Sequence, residues 1–296
     1  MLFGEALQQI RKDKNMSQRE LSEGILSRSH LSQIENNIYF PSYDKMFQFL
    51  DRLNISFEEF TFIKEEYTED SIQQIKMDIN EAANLNETDK LDELARRSNR
   101  AYKKTNLLTY YHYEMICKAL ICYQKNSTVT EELTQYILPV KTYLLNNDNW
   151  YLYELSIFNS IIFSLNTEEA LVFSQRAIKR LYIFRSFTQY QYIEQHIYLN
   201  LSNLCMEHHD FKNAQFFSKK AICASQKYTS IFEKICAEIY HAIASIKLGS
   251  TDYQVLETNM SMLHYLNFNN LYTLFSTKLE DLGIRFNIHQ NIPVTF

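Results

Sequence analysis

Residues 17–35 read Ser17-Gln18-Arg19-Glu20-Leu21-Ser22-Glu23-Gly24-Ile25-Leu26-Ser27-Arg28-Ser29-His30-Leu31-Ser32-Gln33-Ile34-Glu35. Ser17 followed three residues later by Glu20 is a capping box: the hydroxyl takes an amide of the first helical turn and the carboxylate reaches back. A short helix therefore starts there. Gly24 sits where the chain must turn sharply, and Ser27 is placed to cap a second helix through Glu35. Two short helices crossing at a tight turn form a helix-turn-helix unit.

The flanks extend this reading. Phe3, Leu7 and Ile10 give a first helix over about Phe3–Lys12. After Pro41-Ser42, the apolar residues Met46, Phe49, Leu50 and Leu53 fall at the i, i+3, i+4, i+7 spacing of a helix face. Ser56-Phe57-Glu58-Glu59 is a second capping box and opens a fifth helix. The string over residues 17–35, with Pro41-Ser42 after it, resembles the repressor-type (XRE/Cro) helix-turn-helix family over most of residues 4–62. Its short turn is similar to that of Rgg/MutR-type regulators of Gram-positive bacteria.

That resemblance implies that the second helix of the unit enters the major groove with its N-terminal residues on base edges. The residues placed to do so are Arg28, Ser29, His30, Ser32 and Gln33. Arg28 suits guanine and Gln33 adenine, each in a bidentate pair. Gln18 resembles the family position that clamps a phosphate at a helix N-terminus. Arg11, Lys12 and Lys14, at the end of the first helix, are candidate backbone contacts. Residues 1–37 hold five Lys/Arg against five Asp/Glu. Phosphate neutralisation supplies most DNA affinity, so a homodimer on a two-fold double-stranded operator is expected.

The bulk composition narrows the rest. Four Gly and three Pro in 296 residues compare with about 12% for the two together in an average protein. Turn-rich β folds and glycine-rich phosphate loops are excluded, and the chain should be all-α. Net charge is −5, which forces neither a nucleic-acid nor a membrane partner. Five Cys without a C-x-x-C pair, each in an apolar helical context, suggest buried free thiols in a reducing cytoplasm. Glu5, Arg11 and Lys12 interrupt any signal-peptide core, and no apolar run approaches the length of a membrane span. Gly24, Pro41 and Gly249 read as punctuation, Pro139 should kink or split its helix, and Pro293 lies in the tail. Gly4 and Gly283, the latter inside the last helical pattern, have no such role.

Residues 1–65 thus form the DNA-binding domain, 66–71 a charged linker, and 72–296 a repeat domain. The repeat domain reads as about eleven amphipathic helices of roughly 15–20 residues. Helices starting near 150, 190 and 231 align with a period near 41 residues. Ile157, Tyr198 and Ile239 share one column; Phe158, Leu199 and Tyr240 the next; Ile161, Ser202 and Ile243 a third. The column of Asn159, Asn200 and His241 stays polar. Small residues at Ala170/Ala177 and Ala214/Ala221 allow close helix approach.

Ile197–Leu204, then Asp210-Phe211 and Ala214, then Ala221, resembles a tetratricopeptide repeat with His209 in place of the usual turn Gly. Stacked pairs bury what one pair cannot, giving a right-handed superhelix of about five TPR-like pairs. Such arrays bind peptides on the face of their first helices. Asn159, Asn200, Asn203 and His241 are the candidate lining residues, because an Asn amide offers a peptide backbone one donor and one acceptor. The alternative is that they bridge helices within the array. Arg176, Lys179, Arg180 and Arg185 face either an acidic ligand or solvent.

The whole chain resembles the Rgg/PlcR-like group of peptide-responsive regulators. The resemblance implies a homodimer, a DNA operator and a short imported signalling peptide for quorum sensing; a protein partner on the repeats is the second reading. No cofactor, metal or enzymatic activity is expected. No nucleophile or zinc motif is present, and His208-His209-Asp210 lacks a third ligand at clear spacing.

Overall fold

The computed structural model describes residues 1–65, 72–126 and 128–285. Among these residues every regular element is a helix. The chain divides into two compact units, Met1–Asn80 and Glu81–Phe296. The linker expected at 66–71 and the tail proline Pro293 lie outside the described residues.

The first unit holds α1 (Phe3–Asp13), α2 (Gln18–Ser22), α3 (Arg28–Glu35), α4 (Tyr43–Leu53) and α5 (Phe57–Lys64). Both capping boxes form. The Glu20 amide donates to Ser17 Oγ at 3.2 Å and the Ser17 amide to Glu20 Oε2 at 2.7 Å. Ser56 and Glu59 repeat the arrangement at 3.1 and 2.6 Å. Gly24 turns the chain between α2 and α3 at φ +71°, a left-handed conformation that costs glycine little. Leu7, Leu21, Leu31, Phe49, Leu50 and Leu53 close the core, each contributing about 2 kcal/mol of burial.

Eleven α-helices follow. Helix α6 (Ile72–Asn84) runs across the division, and the second unit continues with α7 (Thr88–Thr105), α8 (Leu108–Asn126) and α9 (Glu131–Asn146). Then come α10 (Leu152–Ile161) with a 3-10 turn at Ile162–Ser164, α11 (Thr167–Ile183), α12 (Thr188–Glu207) and α13 (Phe211–Tyr228). The last three are α14 (Ile231–Lys247), α15 (Gln254–Tyr265) and α16 (Asn269–Asp281). Several are shorter than expected, down to the 10 residues of α10. The first helices of successive pairs, α8, α10, α12 and α14, pack side by side.

The 41-residue period is visible as direct contacts. His112 Nδ1 lies 2.6 Å from Tyr153 Oη, Gln124 Nε2 donates to the Ala83 carbonyl at 3.4 Å, and Asn200 Nδ2 donates to Asn159 Oδ1 at 3.0 Å. Each pair is 41 residues apart. The three apolar columns and Ala170, Ala177, Ala214 and Ala221 are buried as expected.

One punctuation reading narrows, one changes and one residue gains a role. Pro139 does not split its helix: α9 runs unbroken, with Leu133, Ile137, Val140 and Leu144 buried on both sides of it. Gly283 is not inside a helix. It follows the Leu282 cap at φ +67°, and the Ile284 amide returns to the Leu279 carbonyl at 2.8 Å, the wrap that satisfies last-turn carbonyls. Gly4 has a packing role: a Cβ there would lie 2.1 Å from the Ile34 carbonyl oxygen. Helix α1 touches the end of α3 at that point, and the Gly4 amide donates to Asn37 Oδ1 at 2.7 Å.

Candidate DNA-reading face and repeat-helix face

Helix α3 starts at Ser27, whose hydroxyl accepts the His30 amide at 3.3 Å. Leu31 and Ile34 hold its inner face in the core. Arg28, Ser29 and His30 are exposed, and Ser32 and Gln33 are half-buried. The expected reading residues therefore share one helix whose N-terminal turn faces solvent. Lys12 and Lys14 are also exposed, and Lys12 Nζ donates to Gln8 Oε1 at 2.9 Å.

Arg11 departs from expectation. It is buried, not available to phosphate, and grips Glu35 through Nε at 2.6 Å and Nη2 at 2.9 Å. Its third nitrogen, Nη1, donates to the Met16 carbonyl at 2.7 Å. Glu35 also accepts from Gln18 Nε2 at 2.9 Å and Gln8 Nε2 at 3.3 Å. Burial alone would raise the Glu35 carboxyl; the Arg11, Gln18 and Gln8 bonds outweigh it and hold the carboxyl below its usual range. Gln18 turns its amide oxygen to Arg28 Nε at 3.4 Å. The Gln18 side chain, expected on a phosphate, thus links the buried ion pair to the first exposed arginine of α3.

Arg52 of α4 is a positioning residue that sequence reasoning missed. Its Nη1 donates to the carbonyls of Glu20 and Leu21 at 3.2 and 3.1 Å, and to that of Glu23. These are carbonyls at the end of α2 and in the turn, and a helix end needs such donors. The available signal was an arginine in the last turn of α4, which by itself resembles any solvated residue.

In the second unit, the polar column does bridge helices. Asn200 is exposed and pairs with Asn159 across α12 and α10. Asn203 Oδ1 accepts from Tyr240 Oη at 3.2 Å and Lys278 Nζ at 2.5 Å. Its Nδ2 donates to Glu207 Oε1 at 2.9 Å. Burial lowers the Lys278 ammonium, opposed by Glu207. His241 Nδ1 lies 3.2 Å from Ser218 Oγ, and burial lowers its pKa, which keeps it neutral at pH 7. The bridging alternative therefore accounts for contacts of all four residues.

Arg176 and Arg180 are spent on the fold rather than on solvent. Arg176 Nη1 reaches the Leu144 and Leu145 carbonyls at 3.3 Å, and Arg180 Nε donates to the Trp150 carbonyl at 2.6 Å. The His208-His209-Asp210 stretch is turn chemistry. His209 takes φ +57°, and Asp210 caps α13 through the Asn213 amide at 3.2 Å. Among the described residues no cluster of three potential metal ligands forms. Nor, among them, is any helix long and apolar enough to cross a membrane. Four cysteines are buried as expected, whereas Cys223, on the outer face of α13, is exposed.

The family model described as "HTH-type transcriptional regulator Rgg, C-terminal domain" matches residues 88–277, and a helix-turn-helix model matches residues 7–60. A putative transcriptional regulator from Listeria monocytogenes EGD-e is 21% identical, with TM-score 0.79 over 96% of this chain and 99% of that one. The Streptococcus dysgalactiae SHP pheromone receptor Rgg2 is 16% identical, with TM-score 0.72 over 95% of this chain and 100% of that one. Bacillus thuringiensis PlcR, solved with the peptide PapR7 and DNA, is 16% identical, with TM-score 0.62 over 95% of each chain.

Proposed function

The chain belongs to the Rgg family of helix-turn-helix transcriptional regulators, and from that premise we propose a homodimer that reads a two-fold operator and is switched by a short signalling peptide. The observation that carries the DNA half is the exposed first turn of α3, with Arg28, Ser29 and His30 outward and Glu35 fixed behind them. Lys12 and Lys14 are the backbone contacts in this reading. Gln18 contributes by orienting Arg28. The operator lies in the cytoplasm, and the regulator acts there.

The peptide half is supported by the family and by two relatives of the same fold, one a pheromone receptor and one solved with peptide and DNA. The ligand lies on the first helices of the pairs. The exposed amide of Asn200, beside Asn159, supplies a polar contact, and Asn203 and His241 add theirs where the ligand displaces their helix-bridging partners. A peptide alters the dimer only if it binds one arrangement better than another. About 1.4 kcal/mol of differential affinity shifts the balance tenfold.

The test uses synthetic peptides from short secreted reading frames beside the gene, titrated calorimetrically into the full chain. One peptide should bind, and Asn200→Ala should weaken it by about tenfold, the worth of one lost hydrogen bond. A chain that binds none of them and instead captures a protein from native lysate takes the protein-partner reading.

A further inference from the structure

Helix α7 separates its two sides by chemistry. Leu91, Leu94, Ala95 and Ser98 are buried along one side. Arg96, Arg97, Arg100, Lys103 and Lys104 fall on the other, within an arc of about 120° at the 3.6 residues per turn of an α-helix. These five cations occupy nine residues, the densest such cluster in the sequence, and no Asp or Glu lies between Glu93 and Glu114. Arg96 pairs with Asp92 one turn back, and Arg97 is half-buried. Arg100, Lys103 and Lys104 are exposed, and among the described residues none of the three pairs with a carboxylate.

The arrangement works against the helix. Like charges one turn apart, as in Arg96 and Arg100 or Arg100 and Lys104, repel. The start of the same helix avoids this by mixing signs, with Lys90 paired to Glu81 and Glu87. The helix dipole favours cations in the last turn, which covers Lys103 and Lys104. It does not reach Arg100, a turn earlier. The face also lacks what a protein partner would bury. Among the described residues no large apolar side chain is exposed between Leu85 and Leu107, whereas protein interfaces centre on apolar or aromatic anchors and are poor in Lys. Interfaces with nucleic acid are polar and strongly positive.

We propose that this face of α7 binds DNA phosphates beyond the bases that α3 reads; the proposal rests on the DNA-reading role given above. The first unit is short of free cations. Residues 1–65 hold eight Lys/Arg against ten Asp/Glu, and Arg11 and Arg52 are engaged by Glu35 and by backbone carbonyls. Phosphate neutralisation supplies most DNA affinity, so cations elsewhere on the chain raise it. Helix α7 begins at Thr88, 24 residues after the end of α5 at Lys64. A cationic face on the same chain meets the duplex as an intramolecular event, at the raised effective concentration that tethering gives. Guanidinium and ammonium groups hold phosphate oxygens through charge-assisted hydrogen bonds, without reading base sequence.

Fluorescence anisotropy with the full chain tests this. The probes are a labelled duplex carrying a site recovered by footprinting and a scrambled duplex of the same length, between about 50 and 200 mM salt. The triple variant Arg100→Gln, Lys103→Gln, Lys104→Gln should make the fall of log affinity with log salt shallower by about 2–3 for each copy bound. The wild type should thus lose about 40-fold more affinity than the variant across that range. Preference for the site over the scrambled duplex should stay as in the wild type, because phosphate contacts carry no sequence information. The variant Lys212→Gln, Lys219→Gln, Lys220→Gln, at exposed positions of α13, removes the same charge and should keep the wild-type slope. An unchanged slope in the α7 variant, or an equal change in the α13 variant, overturns the phosphate role of α7 and leaves DNA reading by α3 standing. A wild type that binds neither duplex overturns both. If the triple variant misfolds, Arg100→Gln alone must still lower the slope by about 0.9 for each copy bound.

Discussion

The side-chain amide of Gln18 donates to the Glu35 carboxylate at 2.9 Å, and the oxygen of the same amide meets Arg28 Nε at 3.4 Å. Gln18 is therefore the junction between an interior ion pair and the outer face of α3. Breaking a buried pair from one side costs about 3–5 kcal/mol, because the other charge is stranded. Glu35→Gln should lower the stability of the first unit by about 3 kcal/mol, read as faster amide exchange in α1–α3. The pH dependence has a definite sign. The Glu35 carboxyl is held below its usual value in the fold, so its stabilisation is present above the unfolded value and is lost as pH falls through the folded one. In Glu35→Gln that acid-side loss should shrink. Equal exchange in variant and wild type contradicts the junction.

Gly4→Ala places a methyl group 2.1 Å from the Ile34 carbonyl oxygen. The obstacle is backbone, so α1 must move away from α3. Overpacking of this kind costs about 1–3 kcal/mol. Thermal unfolding should show that loss, with weaker operator binding, since α1 also carries Arg11. An unchanged melting curve would mean that the two helices do not touch there.

Thr229 ends α13 at φ +60°, and it is β-branched. The left-handed region costs such a residue about 1–2 kcal/mol. Thr229→Gly should raise stability by about 1 kcal/mol despite the added freedom of the unfolded chain. Denaturant unfolding of the full chain is the measurement, and a destabilised variant refutes the assignment of strain.

His112 is buried against Tyr153, and burial lowers its pKa to about 4. The unfolded imidazole titrates near the ordinary histidine value of about 6.5. Between these values the unfolded chain binds the proton and the fold does not, so stability falls as pH drops from about 6.5 to about 4. His112→Phe should flatten the dependence of the melting temperature in that window. A variant with the wild-type slope would show that His112 is protonated in the fold.

Much of the DNA-reading unit is legible in sequence because its signals are local. Ser17 with Glu20, and Ser56 with Glu59, need only three residues to announce a helix start. Arg11 shows where local reading stops. Arg11, Lys12 and Lys14 look alike at the end of α1, and only Glu35, brought in from α3, decides which one goes inside. Arg52 is the same case, since its partners are carbonyls of another helix. The repeat period is readable because its apolar columns persist. The Asn159–Asn200 ladder is not, because an amide in a column serves a neighbouring helix or a ligand equally well. The shortage of glycine also gains a cause: Asn15, Asn37, Asn54, Asn86, Asn106 and Asn267 occupy left-handed positions that glycine commonly fills.

The measurement that bears most directly on the central claim is a genome-wide footprint of the full chain beside its Arg28→Ala, Gln33→Ala variant. The account predicts two-fold protected sites for the wild type. The variant should keep its fold and lose those sites or blur their sequence, since each bidentate base contact is worth about 1–3 kcal/mol. The same sites, bound equally tightly by the variant, would contradict the assignment of α3 as the helix that reads DNA.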